Sequence, residues 1–183
     1  MRRFCISGRI RGRIEARRFP QIQPMGMKTM NQTNTTHGDA VTVEMLSAMY
    51  RNVTMGSENL ATVTPKIRDK ELLSSVTAQL EQYADFTNQT GRLLRRRKVK
   101  PEKPSMMKKA MSRGGIMMNT MFDSTDRHIA EMIAKGTKTG ADQLEDKMLQ
   151  FEARGCDPEV VDLCRDIVTY EAEEAAKAET FGR

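Results

Sequence analysis

Apolar residues recur at alternating spacings of three and four from residue 40 onward, and this period constrains the fold more than any other feature. Such a repeat places one apolar stripe along an α-helix, which then packs against neighbouring helices. On the first predicted helix the stripe contains Leu46, Met49, Val53, Gly56, Leu60, Val63 and Ile67. No segment has the character of a strand, so the sequence predicts an all-α protein.

A second helix of similar length follows a short turn. Pro65 marks that turn, and Asp69 is expected to cap the next helix. Its stripe contains Leu73, Val76, Leu80, Tyr83, Thr87 and Leu94. Two equal helices joined by a short turn form an αα-hairpin. With the turn centred near Ile67, Gly56 should lie level with Ala78, and a glycine on the stripe indicates close approach of the neighbouring helix.

The second half of the chain predicts two more helices. The third is expected to begin near Ser105 and to be kinked or broken at KGTKTG, residues 135–140, before a helical piece that Gly155 ends. Its apolar face contains Met107, Met111, Gly115, Met118, Phe122, Thr125, Ile129 and Met132. Asp157 is expected to cap the last helix, with Pro158 in its first turn. The expected fold is an antiparallel four-helix bundle over residues 39–183.

The first 38 residues are predicted to be a disordered basic leader. Residues 1–30 carry eight basic residues and one acidic residue, a net charge of +7, whereas the whole chain carries +6. The body is therefore close to neutral, and a helix N-cap is expected near Asp39. Three interpretations of the leader stay open: an organellar transit peptide, a nucleic-acid-binding arm, or residues preceding a start at Met25, Met27 or Met30.

Cysteine usage and hydropathy suggest a cytoplasmic protein. Cys5, Cys156 and Cys164 form neither an even disulfide framework nor a metal-binding spacing, so free thiols in a reducing compartment are expected. No apolar run reaches the ~18 residues of a membrane span. The basic run RRRKVKPEKP, residues 95–104, lacks interleaved aromatic residues and is interpreted as a solvated linker rather than a nucleic-acid patch.

Four stretches resemble the ferritin-like superfamily of small bacterial four-helix proteins, of the rubrerythrin or spore-coat type. They are MYRNVTMGSENLATV, DKELLSSVTAQLEQYADF, DSTDRHIAEMIAKGTKTG and DPEVVDLCRDIVTYEAEEAAKAETF. The resemblance lies in helix order, turn positions and carboxylate placement over residues 40–181. It implies a four-helix bundle and, in metal-binding members, iron or manganese held by glutamate and histidine side chains.

The ligand pattern that the resemblance implies is incomplete in this chain. The second and fourth helices should each carry Glu-x-x-His, but Ala84 stands in the histidine position after Glu81, and Glu174 stands in the histidine position after Glu171. The third helix has the reversed order, His128 followed by Glu131. The candidate metal ligands, in full, are Glu81, His128, Glu131, Glu171 and Glu174.

The last hairpin places the two glutamates of the final helix at a definite depth. If it turns near Gly155, Glu171 lies level with Thr139 and Glu174 with Gly136, facing Lys135 and Lys138. A different pairing of segments would bring His128 closer. A buried carboxylate must be partly wet, paired with a cation, protonated or metal-bound, and the sequence favours wet or paired.

These observations lead to a primary functional hypothesis and two alternatives. We expect a non-enzymatic structural or interaction protein with protein partners or self-association, and the resemblance adds spore-coat or stress-related roles. The first alternative is a metal-binding oxidoreductase or metal-storage bundle that uses the five candidate ligands. The second is nucleic-acid binding through the two basic segments, which we expect to be weak.

Overall fold

The structure, a computed structural model, describes residues 29–104, 116 and 123–182, and this part of the chain is helical without any strand. Helix α1 spans Thr29–Val63, and a 3-10 turn at Thr64–Lys66 leads towards α2, Lys70–Arg96. Helix α3 spans Asp126–Ala153 and α4 spans Pro158–Phe181. The all-α prediction is confirmed for these residues. None of these helices has the length and apolar content that crossing a membrane requires.

The predicted caps of α2 and α4 are confirmed. The Asp69 carboxylate accepts a hydrogen bond from the Leu72 backbone N–H at 2.8 Å, and the Asp157 carboxylate accepts one from the Glu159 N–H at 3.0 Å. Gly155 ends the preceding helix at a φ of +83°, in the left-handed region that favours glycine. Around it the Cys156 N–H donates to the Phe151 carbonyl at 3.0 Å, as in a Schellman motif.

The predicted N-cap at Asp39 is wrong, because α1 already begins at Thr29 and Asp39 lies inside the helix. Contacts with the α3–α4 turn show why the helix continues past Asp39 in both directions. The Thr42 hydroxyl accepts a hydrogen bond from the Asp157 N–H at 2.9 Å, and a Cβ on Gly38 would lie 3.2 Å from the Gly155 carbonyl oxygen. Tertiary packing therefore stabilises α1 around Gly38 and Thr42, on both sides of the predicted start at Asp39.

Helix α3 begins at Asp126, within a stretch that the sequence pattern predicted to be helical throughout. It continues through residues 135–140, where the pattern predicted a kink or a break. Residues 123–125 are not helical, and Thr125 is the N-cap, accepting from the His128 N–H at 3.3 Å, instead of a residue of the apolar face. The helix then runs through residues 136–140, so the predicted break there is wrong, while a kink stays a prediction. Each glycine costs a helix only about 1 kcal/mol, which does not interrupt a helix of 28 residues here. The predicted start near Ser105 lies outside the described residues.

The apolar side chains predicted for the α1 stripe are buried, whereas the buried face of α2 is shifted from its predicted stripe. Leu72 and Phe86 are buried there, and Leu73, Leu80 and Thr87 are only half-buried. Fully buried side chains come from all four helices, among them Met49 and Val53 of α1, Leu72 and Tyr83 of α2, Ile129 and Leu144 of α3, and Cys164 and Ile167 of α4. The α1–α2 connection is tied to α3, because the Asp126 carboxylate accepts from the Arg68 and Asp69 N–H groups at 2.7 and 3.0 Å. The described helices thus share one core.

The depth at which α1 and α2 meet differs from the prediction. Gly56 faces Tyr83 instead of Ala78, since a Cβ on Gly56 would lie 2.9 Å from the Tyr83 Cε2. One cause is that a long side chain on a helix points towards the N-terminus of that helix. The Tyr83 ring therefore lies beside the turn of α2 that precedes residue 83. The close approach predicted at Gly56 is confirmed, and its partner is an aromatic ring.

Candidate functional site

A buried carboxyl group joins three helices at the centre of the molecule. Glu171 of α4 is only 2% exposed. The Asn52 Nδ2 of α1 donates to both carboxyl oxygens, at 2.9 Å to Oε1 and 3.1 Å to Oε2. The Tyr83 hydroxyl of α2 donates to Oε1 at 3.0 Å. Tyr83 lies on the predicted stripe of α2, and Glu171 lies on the buried face of α4 between Ile167 and Ala175. The carboxyl group accepts hydrogen bonds from two uncharged partners.

Helix α3 completes the surroundings of this carboxyl group with its backbone. A Cβ on Gly140 would lie 3.1 Å from Glu171 Oε2 and 3.3 Å from Asn52 Oδ1, so the absence of a side chain makes room for both polar groups. One turn earlier, the Thr137 hydroxyl accepts a hydrogen bond from Gln79 Nε2 at 3.4 Å, and both residues are buried. The polar cluster therefore extends over all four helices.

Burial controls the protonation of the site. Loss of solvent raises the pKa of Glu171 to about 7, and the hydrogen bonds from Asn52 and Tyr83 lower it only in part. The pKa of the Tyr83 hydroxyl is also raised, first by burial and then by the adjacent carboxylate. No Lys or Arg side chain of the described segments forms an ion pair with Glu171. The carboxyl group therefore changes its charge near neutral pH.

A cavity of about 280 Å³ adjoins Glu171. Its described wall combines apolar side chains with amides and hydroxyls: Asn52, Met55, Asn59, Leu60, Val63, Tyr83, Ile116, Met132, Ile133, Thr137, Thr139, Gln143 and Glu171, together with Gly56, Gly136 and Gly140. Gly136, Thr139 and Gln143 are solvent-exposed, so the cavity reaches the surface along α3. An apolar pocket with a few convergent polar groups is the usual form of a small-molecule site.

Three of the predicted metal ligands lie away from this centre. Glu81 is exposed on α2. Glu131 is 51% exposed, and its carboxylate pairs with Arg127 at 3.2 Å. The Nδ1 of His128 lies 4.0 Å from the Asp123 carboxylate. Glu131 and His128 therefore take part in contacts within their own segment, and Glu81 lies on the surface.

The two glutamates of α4 differ from each other. Glu174 is 9% exposed and pairs with Lys177 at 2.9 Å, as the hypothesis of a cation-paired carboxylate predicts. Glu171 is only 2% exposed, and among the described residues no Lys or Arg pairs with it, which the hypothesis of a wet or cation-paired carboxylate did not lead us to expect. Its level was predicted to within one residue, because it lies opposite Gly140 rather than Thr139. Of the two lysines that these glutamates were predicted to face, Lys138 pairs instead with Asp142 at 3.1 Å.

The described side chains do not fit the dinuclear ligand set that the ferritin-like resemblance implies. Within residues 29–104 and 123–182, no group of three or more His, Cys, Asp or Glu side chains converges as metal ligands. Around Glu171 the polar positions belong to Asn52 and Tyr83, an amide and a phenol. These groups orient and solvate the carboxyl group.

Sequence reasoning missed Asn52 and the cavity. Asn52 directly precedes Val53 on α1, next to the apolar stripe, and no motif marks it. The available signal was the pair Gly56 and Gly140, because a glycine in a helix interior indicates a close approach. Both glycines lie against side chains of the polar cluster.

Comparison with known proteins found no match to this chain among protein-family models, curated proteins or solved structures.

Proposed function

We propose that this chain is a binding protein that holds a small organic molecule in the cavity beside Glu171. The observation that carries this proposal is a fully buried carboxyl group, hydrogen-bonded only by uncharged donors, at the wall of a 280 Å³ cavity. A carboxyl group with a raised pKa in a cleft is typical of a functional site, because burial without a cation is unfavourable for packing alone.

We further propose that the helices form an antiparallel bundle of ferritin-like type. Two sets of contacts support this arrangement. From α1 to α2, Gly56 faces Tyr83 and the earlier residue Tyr50 faces the later residue Gly91. From α3 to α4, Glu131 lies beside Gly182, and Gly140 lies beside Glu171. In each pair residue numbers rise on one helix as they fall on the other.

The size and lining of the cavity define the kind of molecule that it suits. A cavity of about 150 Å³ holds one benzene molecule, and the volume here is about 280 Å³. It therefore suits roughly eleven non-hydrogen atoms, scaled from benzene. Met55, Leu60 and Val63 of α1 offer an apolar surface, whereas Glu171 and Thr137 offer polar groups. An amphipathic molecule matches both surfaces.

The proposal is tested by binding of small uncharged aromatic probes, measured by NMR chemical-shift changes on the full chain. Residues lining the cavity should respond, with dissociation constants roughly in the micromolar to millimolar range for molecules of this size. Gly136→Leu should weaken binding, because Gly136 lines the cavity and its Cβ would enter open space. Lys147→Leu on the exposed side of α3 is the matched control.

Unchanged binding in Gly136→Leu, or shift changes confined to residues remote from the cavity, would contradict the proposal. The structural or interaction role, the metal-binding alternative and nucleic-acid binding stay predictions.

A further inference from the structure

The hydrogen bonds at Glu171 are arranged for a negatively charged carboxylate. The Asn52 Nδ2 can only donate, and it donates to both carboxyl oxygens. The Tyr83 hydroxyl also donates to Oε1. Two donors converge on the carboxyl oxygens, as around an anion, yet neither partner brings a positive charge. Among the residues that the structure describes, the site therefore supplies the hydrogen bonds of an anion-binding arrangement without a counter-charge.

The cavity beside this carboxylate has the same charge imbalance. Among the described residues that line it, Glu171 is the only charged side chain. The other polar groups are amides and hydroxyls, whose oxygens accept hydrogen bonds. The rest of the wall is apolar, with Met55, Leu60 and Val63 on α1 and Ile133 on α3. A positive group on a ligand would meet the Glu171 carboxylate and uncharged oxygen acceptors, and the ligand's hydrocarbon would meet the apolar side chains.

The geometry points to an organic cation as the ligand: an amine with a small apolar body, its ammonium group against Glu171 and its hydrocarbon against α1. This inference rests on the proposed function, since it specifies what the cavity binds. An anion would be repelled by the carboxylate. A neutral molecule could fill the apolar part and leave Glu171 without a counter-charge. The raised pKa of Glu171 is consistent with a buried carboxyl group that lacks a cation.

Three probes with one apolar body and different charges test the inference. They are 2-phenylethylammonium, 2-phenylethanol and phenylacetate, measured by calorimetry on the full chain at about pH 8, where amines are protonated and carboxylic acids ionised. A neighbouring opposite charge changes an ionisation equilibrium by about one to three powers of ten. We therefore expect 2-phenylethylammonium to bind at least about ten-fold more tightly than 2-phenylethanol, and phenylacetate to bind least.

Two isosteric substitutions on α4 show whether Glu171 is the source of the preference. Glu171→Gln removes the charge at the cavity and should bring the affinities of the ammonium and alcohol probes within about two-fold of each other. Glu174→Gln makes the same chemical change three residues away, on a side chain that pairs with Lys177 and is not part of the described cavity lining. It should keep the preference of the parent. The comparison of probes in the parent needs no variant, so it stands even if Glu171→Gln folds poorly.

The possible results separate this inference from the proposed function. If the alcohol binds as tightly as the ammonium, or if Glu171→Gln keeps the preference, the amine assignment is refuted and small-molecule binding stands. If none of the three probes binds, the proposed function falls together with it. A preference for the ammonium that disappears only in Glu171→Gln establishes the amine site.

Discussion

Glu171 should make the stability of this protein fall as the pH rises towards neutral. The pKa of its carboxyl group rises from an ordinary 4.5 to about 7 in the folded chain. Between these values the folded protein keeps a proton that the unfolded chain has released, so the free energy of unfolding decreases with pH. At about 1.36 kcal/mol for each pH unit, this single group removes about 3 kcal/mol between pH 4.5 and pH 7.

Glu171→Gln should remove this dependence, because glutamine has nearly the same shape and does not ionise. Its carbonyl oxygen can still accept from Tyr83, and rotation of the Asn52 amide can match the new side-chain amide. We expect the variant to lose about 1 kcal/mol in acid, from altered hydrogen bonds. Above about pH 7 it should be more stable than the parent, because no buried charge has to form.

Urea denaturation of parent and variant, followed by circular dichroism from about pH 4 to about pH 8, measures the effect. Other titrating groups cancel in the difference between the two proteins, so that difference should change by about 3 kcal/mol across the range. Glu174→Gln retains Glu171 and should keep the slope of the parent. A difference between parent and Glu171→Gln that stays constant with pH would refute the assignment of the raised pKa to this carboxyl group.

Two further predictions concern glycines that face the site. Gly136→Ala should stabilise the protein by about 0.5–1 kcal/mol through helix propensity, since its Cβ meets no atom within 4 Å. Gly140→Ala, one turn later, should gain less and should shift the NMR signals of Asn52, because its Cβ approaches the Glu171 carboxyl group and the Asn52 amide. Equal gains of the two variants in thermal denaturation would contradict this. Gly56→Leu should cost about 1–3 kcal/mol by overpacking against the Tyr83 ring, whereas a stabilised variant would show that the ring moves aside freely.

The sequence predicted the helices correctly wherever a single apolar repeat was the dominant local signal. The stripe through Met49, Val53 and Leu60 specified the buried face of α1, and the caps Asp69 and Asp157 specified where α2 and α4 begin. These are local signals, decided within a few residues. They were sufficient for the all-α class and for most of the core.

The boundaries of α3 depended on competing local signals, and the wrong one was favoured. Two glycines in residues 135–140 indicated a break, although each costs a helix only about 1 kcal/mol. Thr125, counted as part of an apolar stripe, instead caps the helix with its hydroxyl group. A capping hydrogen bond contributes about as much as a glycine costs. Local propensity therefore could not decide whether the helix is interrupted before Asp126 or at residues 135–140.

From the sequence, neighbouring residues of the site could be predicted only within a single helical hairpin, and not between the two hairpins. Counting residues from Gly155 placed Glu171 opposite residue 139, one residue from its actual neighbour Gly140. The same counting gives no relation between Asn52 on α1 and Glu171 on α4, which are 119 residues apart. Their contact depends on how the two hairpins pack together. No period or spacing in a single sequence encodes that packing, so the amide partner was missed.

Three unfavourable features converge on this carboxyl group. Gly56 and Gly140 each lower helix stability by about 1 kcal/mol relative to alanine, and both lie against the polar cluster. The charge of Glu171 costs about 3 kcal/mol at neutral pH, from its pKa of about 7. An apolar side chain at position 171 would fill the interior without that last cost. Unfavourable local choices that coincide at one cavity are typical of a functional site rather than of a core. Here Gly140 makes room for the carboxyl group that we expect to bind the amine, and Gly56 makes room for its hydrogen-bond partner Tyr83.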